Sequence, residues 1–329
     1  MKALVYTGTE TLAYRDVPDP APGRGEVLVR VESAGVCGSD MHAFLGHDSR
    51  RPAPLILGHE AAGVVIGGPQ HGARVAINPL VTCGSCPACA SGRENLCDAR
   101  QIISMPPREG AFAERVAVPG RNLVTVPGDV PPEIAALAEP LAVGWHAVRL
   151  GLEALHPSED RRAVVIGGGA IGLAAALALK AMGSGETVIV EPNALRRAYL
   201  RDRCDVRVAG ATRGQFPLVI DAVGLAETRA VASARVKPGG VIVHIGLGQD
   251  TGGLDLRRMT LQEITFIGTY TYTAQDFRDT AGAMFDGRLG VLDWAETRPL
   301  SDGAAAFRDI RAGRVAAPKI ILRPDIQGD

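Results

Sequence analysis

An apolar run, AVVI (163–166), leads straight into Gly167, Gly168 and Gly169 and then into the Ala/Leu-rich stretch LAAALALK. No other segment restricts the fold as much. Four consecutive apolar residues read as a strand buried on both faces, the glycines as a tight turn, and LAAALALK as a helix. Gly167, Gly169 and Gly172 spell G-x-G-x-x-G in the context that makes this pattern informative, after a strand and opening a helix. Gly167 permits the sharp turn, Gly169 lets the backbone approach a pyrophosphate, and Gly172 lets helix and strand pack closely. The next residues, Ala170 and Ile171, open a helix whose free N–H groups and positive dipole end suit phosphates. The competing reading is a glycine turn with no nucleotide. Glu191 tips the balance. It ends the following strand, ETVIVEPN, where a carboxylate would take both adenosine ribose hydroxyls and repel a 2′-phosphate. That favours NAD over NADP, with Arg196 and Arg197 nearby weighing on the other side.

Further strands, FPLVIDAVG, GGVIVHIG and EITFIGTY, follow with helical spacing between several of them, as in AETRAVASARV. Such alternation predicts a parallel sheet covered on both faces. The first part of the chain reads differently. MKALVY, EVLVRVESAGV, AAGVVIGG, ARVAIN and AFAERVAVP are short strands punctuated by Pro and Gly, the pattern of a sandwich or partly open barrel. The character changes near Pro131, and 329 residues suit about two domains.

Four cysteines, Cys83, Cys86, Cys89 and Cys97, fall in CGSCPACASGRENLC with spacing C-x2-C-x2-C-x7-C. Loops this short let thiolates converge on one tetrahedral ion, and zinc is the usual occupant. Four thiolates fill every position, so the expected site is structural. Two disulfides, or thiols buried as small hydrophobes, are the alternatives. The N-terminal MKALVYTGTETLAYRDVP holds no apolar run of signal-peptide length, so reduced thiols, zinc and a cytoplasmic location are expected together. The longest apolar stretch, 163–182, is broken by three glycines and carries Lys180, so no membrane span is expected. The 35 basic and 36 acidic residues balance to a formal charge of -1, which argues against a general nucleic-acid or anionic-membrane binder.

Cys37 in GVCGSDMH, His59 and Glu60 in LGHEAAG, and Glu139 in LAEPLA are a plausible open zinc set as chemistry, although their spacing alone does not select them. The order of motifs adds to this. GVCGSDMH, LGHEAAGVV, the four-cysteine lobe, REGAFAERVAVP, EPLA, VVIGGGAIG and the closing PKIILRP together resemble the zinc-dependent medium-chain dehydrogenases over nearly the whole chain. The resemblance implies an α/β protein: a GroES-like β-barrel catalytic domain (1–140 and 281–329, with a structural zinc lobe at 83–97) and an inserted Rossmann doubly wound parallel-sheet domain (141–280). It implies two Zn2+ per chain and NAD. Cys37, His59 and Glu139 are then ligands of the catalytic zinc, Glu60 faces the metal, and Asp40 orients the histidine. Ser39 contacts the substrate oxygen, and His42 passes the proton to solvent. Glu191 and Arg196 flank the adenosine ribose, and Gly246, which ends GGVIVHIG, joins the cofactor set. Glutamate at 139 is common in the sorbitol and polyol branch, so the implied reaction moves a hydride between a polyol or sugar-derived secondary alcohol and NAD. The family is usually dimeric or tetrameric. A non-catalytic NAD-sensing protein and a zinc-free reductase on the same scaffold are the competing readings. Both leave Cys37, His59 and Glu139, with Ser39 and His42, unexplained.

Some features depart from the family pattern. The stretch between VRVAG and FPLVIDAVG is short enough to omit a crossover helix, Ala73 stands in a Gly-Asp-Arg-Val turn, and Cys204 reads as a small buried thiol. Phe44, His47, Trp145 and Tyr270 are candidates for a substrate wall or for ordinary packing. Arg50 and Arg51 read as a solvated loop, or as a receptor for a phosphorylated or carboxylated sugar.

Overall fold

A computed structural model describes residues 1–68 and 70–324. The chain divides into two compact units: Met1–Glu139 together with the chain from Ala295 onward, and Pro140–Trp294.

Apart from one parallel pair, Ala295–Pro299 beside Lys319–Arg323, the first unit is built on antiparallel sheets. In the larger one, Glu26–Gly35 lies between Glu60–Val65 and the late strand Lys319–Arg323, and it also pairs with Arg115–Pro119. Arg74–Ile77 and Leu123–Thr125 extend one side, and Ala295–Pro299 closes the other. Lys2–Gly8 pairs with Thr11–Asp16 and with Leu55–Ile56 in a smaller sheet. The side chains of Leu4, Phe44, Leu57, Phe112 and Phe307 fill the interior. The rings of Phe44 and Phe307 lie 5.2 Å apart, so Phe44 is core packing and not an open wall. Lys319–Arg323 joins the middle of this sheet, which places the chain's last described strand beside the loop that follows Gly35.

The second unit holds six parallel strands in the order Val208–Ala209, Thr187–Val190, Ala163–Ile166, Phe216–Asp221, Val236–His244 and Thr265–Gly268. In chain order this is 3-2-1-4-5-6, the doubly wound arrangement of a dinucleotide-binding sheet. All four residues of Ala163–Ile166 are buried, as expected of a strand with helices on both faces. Between Val208–Ala209 and Phe216–Asp221 the link is six residues with no helix, in keeping with the shortened stretch in the sequence. Val188 and Val190 stay only partly buried. Cys204 is buried at the end of helix Ala194–Arg203, and burial pushes its thiol up to about 11.

Candidate metal centre and cofactor cradle

Strand register assembles the first cluster. Gly35 pairs with Glu60, so the loops leaving these two strand ends meet, one carrying Cys37 and the other His59. Ligand atoms of Cys37, His59 and Glu60 all lie within 4.8 Å of one another. Asp40 fastens the two loops together. Its Oδ2 accepts from the Cys37 amide (3.0 Å), its Oδ1 accepts from the Gly58 amide (3.2 Å), and Oδ1 stands 3.4 Å from His59 Nδ1. Asp40 is fully buried. Burial alone would raise its pKa, but the charges of His59 and Arg51 and the Cys37 amide override this and keep the carboxylate ionised.

Four features of this cluster favour a cation. Burial works against a charged imidazole, yet Asp40 and Cys37 hold the pKa of His59 well above its ordinary value. Glu60 is wholly buried, and its Oε2 has no hydrogen-bond partner, a costly state unless an ion or ligand completes it. A Cβ on Gly35 would sit 2.1 Å from that oxygen, so glycine there makes room for it. Sulfur, imidazole nitrogen and carboxylate oxygen together are a donor set suited to zinc. Glu60 Oε1 is held by Lys319 Nζ at 2.6 Å, and Lys319 also donates to Val36 O at 2.9 Å. Burial would lower the Lys319 pKa, but Glu60 and Cys37 raise it.

Glu139 lies outside the three-residue cluster. It is buried at the start of helix Ala138–Ala154, and its charge acts on Lys319. Ser39 Oγ is 3.4 Å from His59 Nε2. His42 lies three residues further along helix Gly38–Phe44, on the same side, and is exposed.

Two more residues belong to this centre: Ser104, which carries no signal in the sequence, and Arg51, which reads there as part of a solvated loop. Ser104 has positive φ (70°), is fully buried, and places its Oγ 3.3 Å from His59 Nδ1. Arg51 is buried, not solvated: its Nε donates to Ser104 O (3.0 Å) and its Nη1 to Asp48 (2.6 Å). A left-handed serine against the histidine of this cluster is the kind of strain that collects at working sites.

The second cluster is the cysteine lobe. Cys83 follows strand Leu80–Val81, Cys86 caps the short helix Pro87–Ala90, and Cys97 follows the turn Glu94–Leu96. Cys83 Sγ is 3.9 Å from Cys89 Sγ and 3.6 Å from Cys97 Sγ. A disulfide needs about 2.05 Å. Four sulfurs about 2.3 Å from a central zinc would stand about 3.8 Å apart, so the spacing fits a tetrahedral cage. The amides of Ser85 and Cys86 point at the Cys83 sulfur and hold its thiol down to about 6, which favours the thiolate a metal requires.

The third cluster is the glycine turn. Gly167 has φ +99°, and a Cβ on Gly172 would fall 1.8 Å from Gly167 O. Gly169 caps helix Ala170–Ala181, whose first turn carries Ala170 and Ile171, and a Cβ on it would lie 3.8 Å from Arg196 Nη1. Glu191 is buried, and its carboxylate accepts from the Gly168 amide (2.9 Å) and the Asn193 amide (2.8 Å), so it already sits against the turn. Arg196 is on the next helix, its pKa lowered by burial and partly restored by Glu191. Gly246 packs backbone to backbone on Val223 and Gly224, across the carboxyl ends of the fourth and fifth strands.

A family model described as "Alcohol dehydrogenase GroES-like domain" matches residues 23–128, and one described as "Zinc-binding dehydrogenase" matches 170–286. L-galactonate-5-dehydrogenase of Escherichia coli (strain K12) is 31% identical over 308 residues, covering 88% of each chain. This chain belongs to the zinc-dependent medium-chain dehydrogenases. Sorbitol dehydrogenase of Bacillus subtilis (strain 168) is 36% identical over 205 residues, covering 60% of this chain and 57% of its own. Among solved structures, acetophenone reductase from Geotrichum candidum NBRC 4597, in complex with NAD, superposes with a TM-score of 0.86 at 26% identity, covering 98% of this chain and 96% of that one. The first unit of this dehydrogenase is therefore the GroES-like domain, and the second is its Rossmann domain. Among the described residues no helix is long and apolar enough to cross a membrane.

Proposed function

We propose that this dehydrogenase moves a hydride between the secondary alcohol of a polyol or sugar-derived substrate and NAD, with one zinc at the Cys37 cluster and one in the cysteine lobe. The observation that carries the reading is the orphaned Oε2 of buried Glu60 beside Cys37 and His59. Cys37 and His59 would hold the catalytic ion, with Glu60 and Glu139 as the carboxylates of the set. Zinc bound there supplies Lewis acidity, which eases loss of an alcohol proton. The remaining work falls to the protein. Asp40 and Ser104 orient the imidazole of His59, a recognised task for groups behind a ligand. Ser39 takes the substrate's hydroxyl proton at Oγ, and exposed His42 on the same helix side delivers it to water. NAD supplies the hydride chemistry, and the cradle around Gly167, Gly169 and Gly172 positions it.

Glu191 supports NAD over NADP, since a buried carboxylate at the ribose position repels a 2′-phosphate. The substrate class draws on the relatives named for L-galactonate and sorbitol. Among the described residues Thr265–Gly268 is an outer strand of the parallel sheet with one edge unpaired, which supports a homodimer or homotetramer built by pairing two such edges, and free thiols support a cytoplasmic location. NADH formation measured across polyols, aldonates and simple secondary alcohols tests the reading. Turnover confined to polyhydroxy substrates is expected, and turnover of simple alcohols alone would overturn the substrate class.

A further inference from the structure

Arg229 lies on helix Ala226–Arg235, directly after the fourth strand of the parallel sheet, and its side chain is almost wholly buried (5% exposed). A buried cation is costly and is usually paired with a carboxylate. Here the hydrogen bonds of the guanidinium go to backbone carbonyls. Nε donates to Gly252 O at 2.6 Å, Nη1 to Gly224 O and Gln249 O at 2.9 Å each, and Nη2 to Thr251 O. The rigid fork of donors thus ties the turn after the fourth strand to the loop after the fifth, residues 245–253.

The same two segments are joined elsewhere. The Gly248 amide donates to Val223 O (3.2 Å), the Gln249 amide to Gly224 O (2.8 Å), and the Ala226 amide to Gln249 Oε1 (2.9 Å). At two glycines the seam leaves no room for a side chain. A Cβ on Gly246 would lie 2.1 Å from the Val223 carbonyl carbon, and one on Gly253 would lie 2.0 Å from Ala226 O. Beneath them, buried Asp221 accepts from the Val223 and Gly224 amides at 3.0 and 2.9 Å.

In a doubly wound sheet each half takes one mononucleotide. The glycine turn and Glu191 belong to the half formed by the first three strands. The braced loops crown the other half, where the nicotinamide end of a dinucleotide must lie. We propose that Arg229 is a positioning residue for the nicotinamide half of the cofactor, holding residues 223–226 and 245–253 in their binding arrangement before the cofactor arrives. This rests on reading the cradle as an NAD site.

The test titrates the intact wild-type protein and the Arg229→Met, Arg229→Lys and Gln249→Ala variants with NADH and with ADP, which carries only the adenosine half. Arg229→Met is expected to weaken NADH roughly tenfold while ADP stays within about twofold. Arg229→Lys should behave like Arg229→Met, because one ammonium cannot span four carbonyls set around a fork. Gln249→Ala, at an exposed position, should weaken NADH roughly threefold in the same selective way, and it carries the test if the Arg229 variants fail to fold. Equal loss of NADH and ADP in the variants, or unchanged NADH affinity, overturns the assignment to Arg229 alone. A wild type that binds neither ligand overturns the NAD reading and this proposal with it.

Discussion

Replacing Lys319 by methionine probes the metal centre from behind. Lys319 and Glu60 are both buried, with 2.6 Å between Nζ and Oε1, and the other oxygen of Glu60 has no partner. Methionine keeps much of the stem's apolar packing and removes the charge. In the metal-free protein the variant leaves a carboxylate buried with neither oxygen paired to a cation. Breaking a buried pair in this way costs about 3–5 kcal/mol. For a unit of this size, that corresponds to a fall in Tm of roughly 10 °C at about 2–4 °C per kcal/mol. With zinc in place the deficit should shrink, because Glu60 then faces a divalent cation. By linkage, whatever stability the variant recovers on loading appears as tighter zinc binding. A recovery of about 2 kcal/mol corresponds to roughly thirtyfold. The assay is calorimetric unfolding of wild type and Lys319→Met, each zinc-free and zinc-loaded, beside zinc competition with a chelator. An equal loss in both states, with unchanged zinc affinity, would refute the argument that Glu60 faces the metal.

Other perturbations separate the remaining parts. Cys86→Ser should remove one zinc per chain and unfold the lobe between Leu80 and Ile102, seen as new protease sensitivity there, while the Cys37 cluster keeps its metal. Gly172→Ala would place a Cβ 1.8 Å from Gly167 O, so NADH affinity should fall by more than about tenfold even where the protein stays folded, read by nicotinamide fluorescence. Burial opposes ionisation of Asp48, but Arg50 and Arg51 hold its pKa down from 3.8 to about 2. Its folded pKa is depressed, so its contribution to stability is present above 3.8 and is lost as pH falls through about 2. Asp48→Asn should therefore flatten the acid limb of a stability profile and leave the neutral limb parallel to wild type.

Features that depend on short stretches of chain are the ones legible in the sequence. The strand, glycine turn and helix around Gly167 lie within one segment, and each residue type answers a local steric demand. The four cysteines likewise span fifteen positions, and their spacing alone sets how the sulfurs can converge. Cys37 and His59 are reached only through the family resemblance, because nothing local says that Gly35 and Glu60 pair in register. Lys319 is invisible for the same reason: it is 259 residues from Glu60, and a lysine ahead of IILR looks like a strand's polar edge. Arg51 reads as solvated because its partners are a backbone carbonyl 53 residues away and a carboxylate in a turn. Ser104 carries no pattern at all, since positive φ at a serine is imposed by tertiary structure. Phe44 is a fair candidate for a wall until its ring is seen packed on that of Phe307 in the core. The loss of a crossover helix is legible, because too few residues separate two strands to build one.

The most direct measurement is metal content and turnover on the same preparations of wild type and Cys37→Ser. The account predicts two zincs per chain and NADH formation from a polyhydroxy alcohol in the wild type. Cys37→Ser should keep one zinc, bind NADH normally and form no product. A folded Cys37→Ser protein that keeps both zincs and turns over at the wild-type rate would contradict it.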